Sequence, residues 1–359
     1  MPSRPMTPVD VRLVGTAPAP LGPVLTASWE GAVVTVQDAD RLLAYERAAV
    51  LAGVPEPARR MVLPAHARAT LSPSDGLVVI AEGSAVRAVD PSGALRWELP
   101  HDPWHGGHRE PRPPCAPAVS PDGRFVSVVL PCLARDGEPA LLVYDSEPRR
   151  RYTNDRLVLV DATTGRIHGE RPVTAVSSTV AQRWSPDGTE LVISCWTAWY
   201  SWAMYRVTVR PEGCKVTGGP AYREVTDLGS KPGRVLSVRR AEGMTHDDEH
   251  DDVAVHDIAV QDGAADRQVA LVELAALGGE PDDELGTARR VGDAYVVVSL
   301  RRFRGDATWT HHLCAWPALH PLGAVAYPVP VTEHVASLGD GTWLTTDGSL
   351  LYRWELTAP

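Results

Sequence analysis

Lysine is nearly absent from this chain. Lys215 and Lys231 are the two examples, and the rest of the 35 basic residues are arginine, a coding bias that carries no functional reading. Positive charge as a whole is in deficit: 45 acidic side chains outweigh the basic ones and leave a formal net charge of −10. A general nucleic-acid or anionic-membrane binder needs a concentrated positive patch, so neither partner is expected. Long apolar runs are missing too, and no stretch approaches the roughly eighteen residues of a membrane-spanning helix. The opening MPSRPMTPVDVRLVG has no apolar core of a secretory signal, so a cytoplasmic location is expected. Cysteine is scarce. Cys115, Cys132, Cys195, Cys214 and Cys314 are widely spaced with no C-x-x-C pair, which indicates isolated thiols rather than a disulfide framework or a zinc knuckle. Phenylalanine occurs only twice against 11 tryptophans, so the large apolar anchors are indoles and branched aliphatics.

Glycine and proline are plentiful, with 30 and 32 residues spread along the whole chain. That suits many short strands joined by many turns. One phrase recurs three times, as Leu71-Ser-Pro-Ser-Asp-Gly-Leu-Val-Val-Ile, Val119-Ser-Pro-Asp-Gly-Arg-Phe-Val-Ser-Val-Val and Trp184-Ser-Pro-Asp-Gly-Thr-Glu-Leu-Val-Ile-Ser. Proline presets φ, aspartate bonds to its own backbone and glycine takes the left-handed position, so each phrase encodes a hairpin turn. Fainter echoes begin at Ala27, Arg290 and Ser337. A second phrase, Val86-Arg-Ala-Val-Asp-Pro-Ser-Gly-Ala-Leu-Arg-Trp and Leu157-Val-Leu-Val-Asp-Ala-Thr-Thr-Gly-Arg-Ile-His, reads strand, Asp-led turn, strand. Together the phrases define a unit of four antiparallel strands, one blade of a β-propeller.

The Ser-Pro-Asp-Gly phrase resembles the PD40 repeat of TolB-type propellers. The Val-Asp-x-x-x-Gly-x-x-x-Trp phrase is similar to the outer hairpin of quinoprotein-like and WD40-like propellers. The resemblance implies a propeller fold and carries no activity, because the turn phrases are structural. It also carries no quinone cofactor, since the chain is short for eight blades and has no matching set of ligand residues.

The 48-residue spacing from Pro73 to Pro121 predicts seven blades, because 359 residues divided by seven is about 51. The expected fold is all-β, a single seven-bladed propeller over residues 1–359. The blades parse as roughly 24–63, 66–100, 115–174, 178–222, 223–279, 285–331 and 332–357. The last holds only three strands, and the N-terminal segment 9–15 is expected to supply the fourth, closing the ring with strands from both termini and removing open edges.

Insertions between strands report on function. The connections of blades 3 to 6 are long, near 131–155, 196–202, 243–252 and 301–309, and the segment from His101 to Arg112 joins blades 2 and 3. All are expected on one rim, as a crescent. Candidate ligand contacts on it are Trp104, Arg109, Arg150, Trp199, Tyr200 and Trp309. His101, His105 and His108 form one imidazole cluster, and His246 and His250 sit among five carboxylates in His246-Asp-Asp-Glu-His-Asp-Asp. Either is a candidate for a divalent metal ion. The second group lacks the His-Glu-x-x-His order and the glycine-centred spacing of an EF-hand, and its like charges favour a solvated tip. His311 and His312 fall on one strand, so at most one is expected to face the core.

No Gly-x-Ser-x-Gly elbow, Walker loop or dinucleotide fingerprint is present. The reading is therefore a non-catalytic module that binds a protein or small-molecule ligand through the loop crescent. The alternative is a divalent-metal-dependent hydrolase or lyase with its site at the channel mouth.

Overall fold

The computed structural model describes residues 7–19, 31–38, 40–54, 56–104, 114–144, 149–173, 176–197, 202–229, 233–239, 257–263, 267–302 and 308–357. The architecture is all-β. The chain divides into two compact units, one of residues 1–36, 44–59 and 225–359 and the other of 37–43 and 60–224. Strand β1 (Val9–Pro18) is followed by a three-stranded sheet of β2 (Val33–Asp38), β3 (Arg41–Glu46) and β4 (Arg59–Val62), whose residues are divided between the two units. A single turn of α-helix, Arg47–Leu51, follows β3.

The unit centred on residues 60–224 holds three four-stranded antiparallel sheets. The first is β5 (Arg68–Leu71), β6 (Val78–Ala81), β7 (Ala85–Val89) and β8 (Leu95–Pro100). The second is β9 (Ala118–Val119), β10 (Phe125–Leu130), β13 (Arg156–Asp161) and β14 (Ile167–Pro172), interrupted in sequence by a separate hairpin of β11 (Leu142–Tyr144) and β12 (Arg150–Tyr152). The third is β15 (Ser177–Trp184), β16 (Glu190–Thr197), β17 (Trp202–Arg210) and β18 (Gly213–Gly218).

The repeated turns work as their residues dictate, with an added role for the serine. Ser120 Oγ donates to Asp122 Oδ1 at 2.6 Å and accepts from the Phe125 N–H at 2.9 Å. Ser185 and Asp187 repeat this with Glu190. The Asp122 and Asp187 carboxyls are held below their ordinary range, Asp187 chiefly by the Ser185 hydroxyl, which stabilises the charged form. Turns of adjacent sheets nest on one another. Gly165 (φ +73°) ends the Asp161 turn, and a Cβ there would lie 2.5 Å from the Trp97 Cβ. Trp97 is buried between the first and second sheets among Val79, Val126, Val128, Val158 and Val160, and its indole N–H donates to Ala162 O at 2.7 Å. A second core of Leu157, Leu159, Leu191, Ile193, Cys195 and Val207 joins the second sheet to the third.

The other unit holds β19 (Glu224–Leu228), β20 (Arg234–Arg239), β21 (Asp257–Asp262) and β22 (Arg267–Glu273) as one four-stranded sheet. A short 3₁₀ turn, Leu274–Leu277, follows. Next come β23 (Glu284–Val291), β24 (Tyr295–Arg302), β25 (Thr308–Ala315) and β26 (His320–Ala326), then β27 (Ala336–Ser337), β28 (Trp343–Thr346) and β29 (Leu350–Leu356). Strand β1 pairs antiparallel with β29 from Val11↔Leu356 to Pro18↔Leu350, and touches β26 in parallel at Val9↔Val325. Trp343 and Trp354 are fully buried at this junction, with Val9, Val11 and Tyr327 packed on them.

Both histidines of β25 are buried, which corrects the expectation that at most one faces the core. The two faces of this sheet are both covered. His311 lies on the face of Leu313, toward the β27–β29 strands, and His312 on the face of Cys314, toward the β19–β22 sheet. His311 Nδ1 is 3.1 Å from Tyr327 Oη and its Nε2 is 2.9 Å from Thr332 O, while Trp343 Nε1 donates to Tyr327 Oη.

Candidate functional site

Chemistry-bearing residues gather at one rim of the 60–224 unit, where β8, β10 and β16 end and β13, β15 and β17 begin. After Pro100 the chain doubles back along the short β6–β7 connection: His101 N donates to Ser84 O and Trp104 N to Gly83 O, at 3.0 and 2.8 Å. The segment is then fastened to the blade 3 insertion. Leu133 N donates to Asp102 Oδ2 at 2.9 Å, and the fully buried Tyr152 donates its hydroxyl to Pro103 O at 2.9 Å. The structure thus joins two of the irregular segments.

That fastening changes the reading of two candidates. Trp104 is 6% exposed, so it supports the rim from beneath and does not offer the open anchor expected of it. His101 is half-buried, its Nδ1 2.6 Å from Asp102 O, and burial holds its imidazole below the ordinary range. Its Nε2 has no hydrogen-bond partner among the described residues. Arg150 lies half-buried on β12, in the same hairpin as Tyr152.

A buried polar cluster was not anticipated. Asp155, just before β13, is wholly buried and accepts from Ser177 N at 2.7 Å through Oδ2. Burial without a cation pushes its carboxyl up to about 7, opposed by the Ser177 backbone N–H. Its Oδ1, the neighbouring Asn154 Oδ1 and Ser177 Oγ have no partner among the described residues. The buried Cys195 thiol lies close enough to feel the Asp155 charge and is pushed up to about 12, chiefly by desolvation. This thiol is inert as a nucleophile at neutral pH. The one sequence signal for Asp155 was a carboxylate two residues ahead of the apolar run Leu157-Val-Leu-Val.

At the mouth of β16 and β17, Trp196 and Trp202 face each other across the ladder, ring centroids 5.4 Å apart at 62°. Tyr222, 56% exposed and at φ +61°, donates its backbone N–H to Trp202 O at 2.8 Å. A tyrosine in this left-handed region is strained, a feature concentrated at binding sites. In the other unit Trp309 is half-buried, with the Arg301 guanidinium 5.8 Å from its ring centroid and Gly286 beneath it. Among the described residues no three His, Cys, Asp or Glu side chains gather as metal ligands. His105, His108, Arg109, Trp199, Tyr200, His246 and His250 lie outside the described residues.

Solved structures supply the decisive comparison. The WD40 domain of Neurospora crassa Pan2 superposes with a TM-score of 0.54 over 99% of this chain and 98% of its own, at 11% identity. BamB from Moraxella catarrhalis matches with a TM-score of 0.50 over 92% of this chain and 83% of its own, at 13% identity. The fold is a β-propeller fold. BBS1N, solved in complex with ARL6DN, matches at a TM-score of 0.50 and 11% identity over 98% of both chains. At these identities the likeness to propellers is one of fold alone. No protein-family profile matches the sequence, and no curated protein matches it. The four-stranded sheets are accordingly propeller blades, and the repeated phrases mark blade turns as the resemblance implied. No described helix is long and apolar enough to cross a membrane.

Proposed function

We propose that this chain is a non-catalytic propeller of seven blades, completed by β1, that binds a protein partner on the rim where residues 101–104, 131–144, 149–155, 196–197 and 202 lie. The observation that carries the reading is the stitching of the 101–104 segment to the blade 3 insertion through Asp102 and Tyr152, which makes a preorganised surface from connections that would otherwise be separate. The structural likeness to a WD40 domain and to BBS1N, itself solved with a protein partner, supports a protein over a small molecule. Five free cysteines support a cytoplasmic setting, which fractionation of source cells checks. The metal-dependent hydrolase or lyase gains no support from the described side chains.

The test is reconstitution. A partner captured from source cells is purified and titrated by calorimetry against the wild-type chain and Arg150→Glu. The reading expects a one-to-one complex that Arg150→Glu weakens by about tenfold, roughly 1.4 kcal/mol. A partner whose affinity ignores this rim substitution rejects the proposed face. Failure of every captured protein to bind as a purified pair rejects the binding module.

A further inference from the structure

Asp155 ties the entry of β13 to both ends of the connection from β14 to β15. It stands immediately before β13, and its backbone carbonyl accepts from Val173 N at 2.9 Å, just past the end of β14. Its carboxylate Oδ2 accepts from Ser177 N at 2.7 Å, where β15 opens. Both side chains are fully buried. Those bonds leave Asp155 Oδ1, Ser177 Oγ and the enclosed Oδ1 of Asn154 without a hydrogen-bond partner among the described residues. The chain itself holds these atoms together. A serine Oγ stands roughly 3 Å from its own backbone nitrogen, which puts Ser177 Oγ within about 6 Å of Asp155 Oδ2. The hydroxyl acts on the carboxylate charge from just outside hydrogen-bonding geometry. Asn154 is the adjacent residue. Oxygens that share one ion at about 2.4 Å stand up to about 5 Å apart, so the spacing suits a single small ion.

The chemistry of the three atoms selects that ion. Each is an oxygen that accepts, and a buried acceptor costs free energy until a donor or a cation meets it. Among the described residues no basic side chain pairs with Asp155, and Arg68 acts on the neighbouring Cys115 thiol rather than on the carboxylate. The other titratable groups that face it, Cys115 and Cys195, are kept as neutral thiols by burial. One negative charge among neutral oxygens matches one positive charge. A calcium or magnesium ion would leave net charge buried, and such sites recruit further carboxylates. Zinc, copper and iron take nitrogen or thiolate ligands, which protonated thiols do not supply. A water molecule would satisfy the oxygens and leave the charge uncompensated. The ammonium or guanidinium of a partner does not reach side chains this deeply buried.

We propose that Asp155 Oδ1, Ser177 Oγ and Asn154 Oδ1 bind a sodium ion at the joint of β13 and β15. The ion neutralises the buried carboxylate and clamps the entry of β13 to the start of β15, close in sequence to the Tyr152 that fastens the rim. Proton and ion compete for the same carboxylate, so the titration of Asp155 near 7 belongs to the sodium-free chain. The site stands apart from the binding-module reading, and its test uses no partner.

The measurement is the melting temperature of the full chain at pH 8.5 as sodium chloride replaces choline chloride at constant ionic strength. The melt should rise by about 2 °C toward 100 mM sodium and then level off, with a smaller rise in potassium. Ser177→Ala keeps the backbone N–H that bonds Asp155 Oδ2 and removes one ligand, so about tenfold more sodium should be needed. Asp155→Asn should abolish the response. At pH 5.5 the wild-type chain should need tenfold more sodium or beyond, because the proton holds the carboxylate. Sodium-23 NMR on the unaltered protein needs no variant: the sodium line should broaden at pH 8.5 and sharpen at pH 5.5. A melt that treats sodium and choline alike overturns the site and leaves the three oxygens to water. A sodium response that survives in both Asp155→Asn and Ser177→Ala overturns it as well, as does a line width indifferent to pH. A stronger response to calcium than to sodium makes this a divalent site and overturns the proposed ion.

Discussion

Asp155, His311 and His312 are buried ionisable groups whose demands on pH run in opposite directions. Asp155 titrates near 7 when folded, above the roughly 4 of an unfolded aspartate, so its contribution to stability is complete below about pH 4 and is lost as pH rises through 7. Both histidines titrate near 4 when folded because burial disfavours the imidazolium, below the roughly 6.5 of an unfolded histidine. Their contribution is complete above that unfolded value and is lost as pH falls through 4. Between about pH 4 and 6.5, unfolding takes up about two protons at His311 and His312 and releases about one at Asp155, so these three groups together make stability rise with pH by about one proton's slope, to which the lowered His101 adds. Asp155→Asn keeps an acceptor for Ser177 and removes the release. The slope should then about double, and the variant should exceed wild type at pH 8 by on the order of 3 kcal/mol. His312→Leu should bring the slope near zero. Urea unfolding across a pH series reads all three, and an Asp155→Asn profile parallel to wild type would sink the assignment. Little of this was legible in the sequence, where only the nearby apolar run 157–160 sets Asp155 apart from other aspartates and burial of His311 and His312 depends on both sheet faces being covered.

Elements were far more legible, for a local reason. The turn at Pro73–Gly76, the turn at Pro121–Gly123 and the turn at Pro186–Gly188 each carry their own conformational instructions, so the hairpins β5–β6, β9–β10 and β15–β16 follow from three or four residues apiece. The insertion read as a loop contains the β11–β12 hairpin, whose Leu-Leu-Val-Tyr run lacked a recognisable turn phrase to flag it. Strand β1 yields the prediction at this scale. It gives β29 its second partner and contributes Val9 and Val11 to the Trp343–Trp354 core. Removing residues 1–18 exposes that core and leaves a bare edge, so the melting temperature should fall by roughly 10 °C or more with aggregation visible by light scattering. A synthetic peptide covering Thr7–Ala19 added in trans should restore part of the loss. An unchanged melt would mean that β29 does not depend on β1.

For the whole molecule, the repeated phrases carried the propeller fold, because repetition is a global property written in the chain. The binding face was less legible. Whether a tryptophan supports a rim or caps it depends on which way the connection folds back, and Trp104 went inward on the bonds of Gly83, Pro103 and Tyr152. Class averages of particles viewed end-on should display seven lobes, and six or eight would overturn the proposed blade count. The pairing of Val11 with Leu356 has a further consequence for how the chain is made. On the ribosome, β1 emerges long before β29 and must wait for all the intervening strands to be made. Until β26 and β29 are made it has neither strand partner, and its pairing with β29 is highly non-local. Maturation of this blade therefore waits on the synthesis of β29, and chaperone demand at β1 should persist until that strand is made.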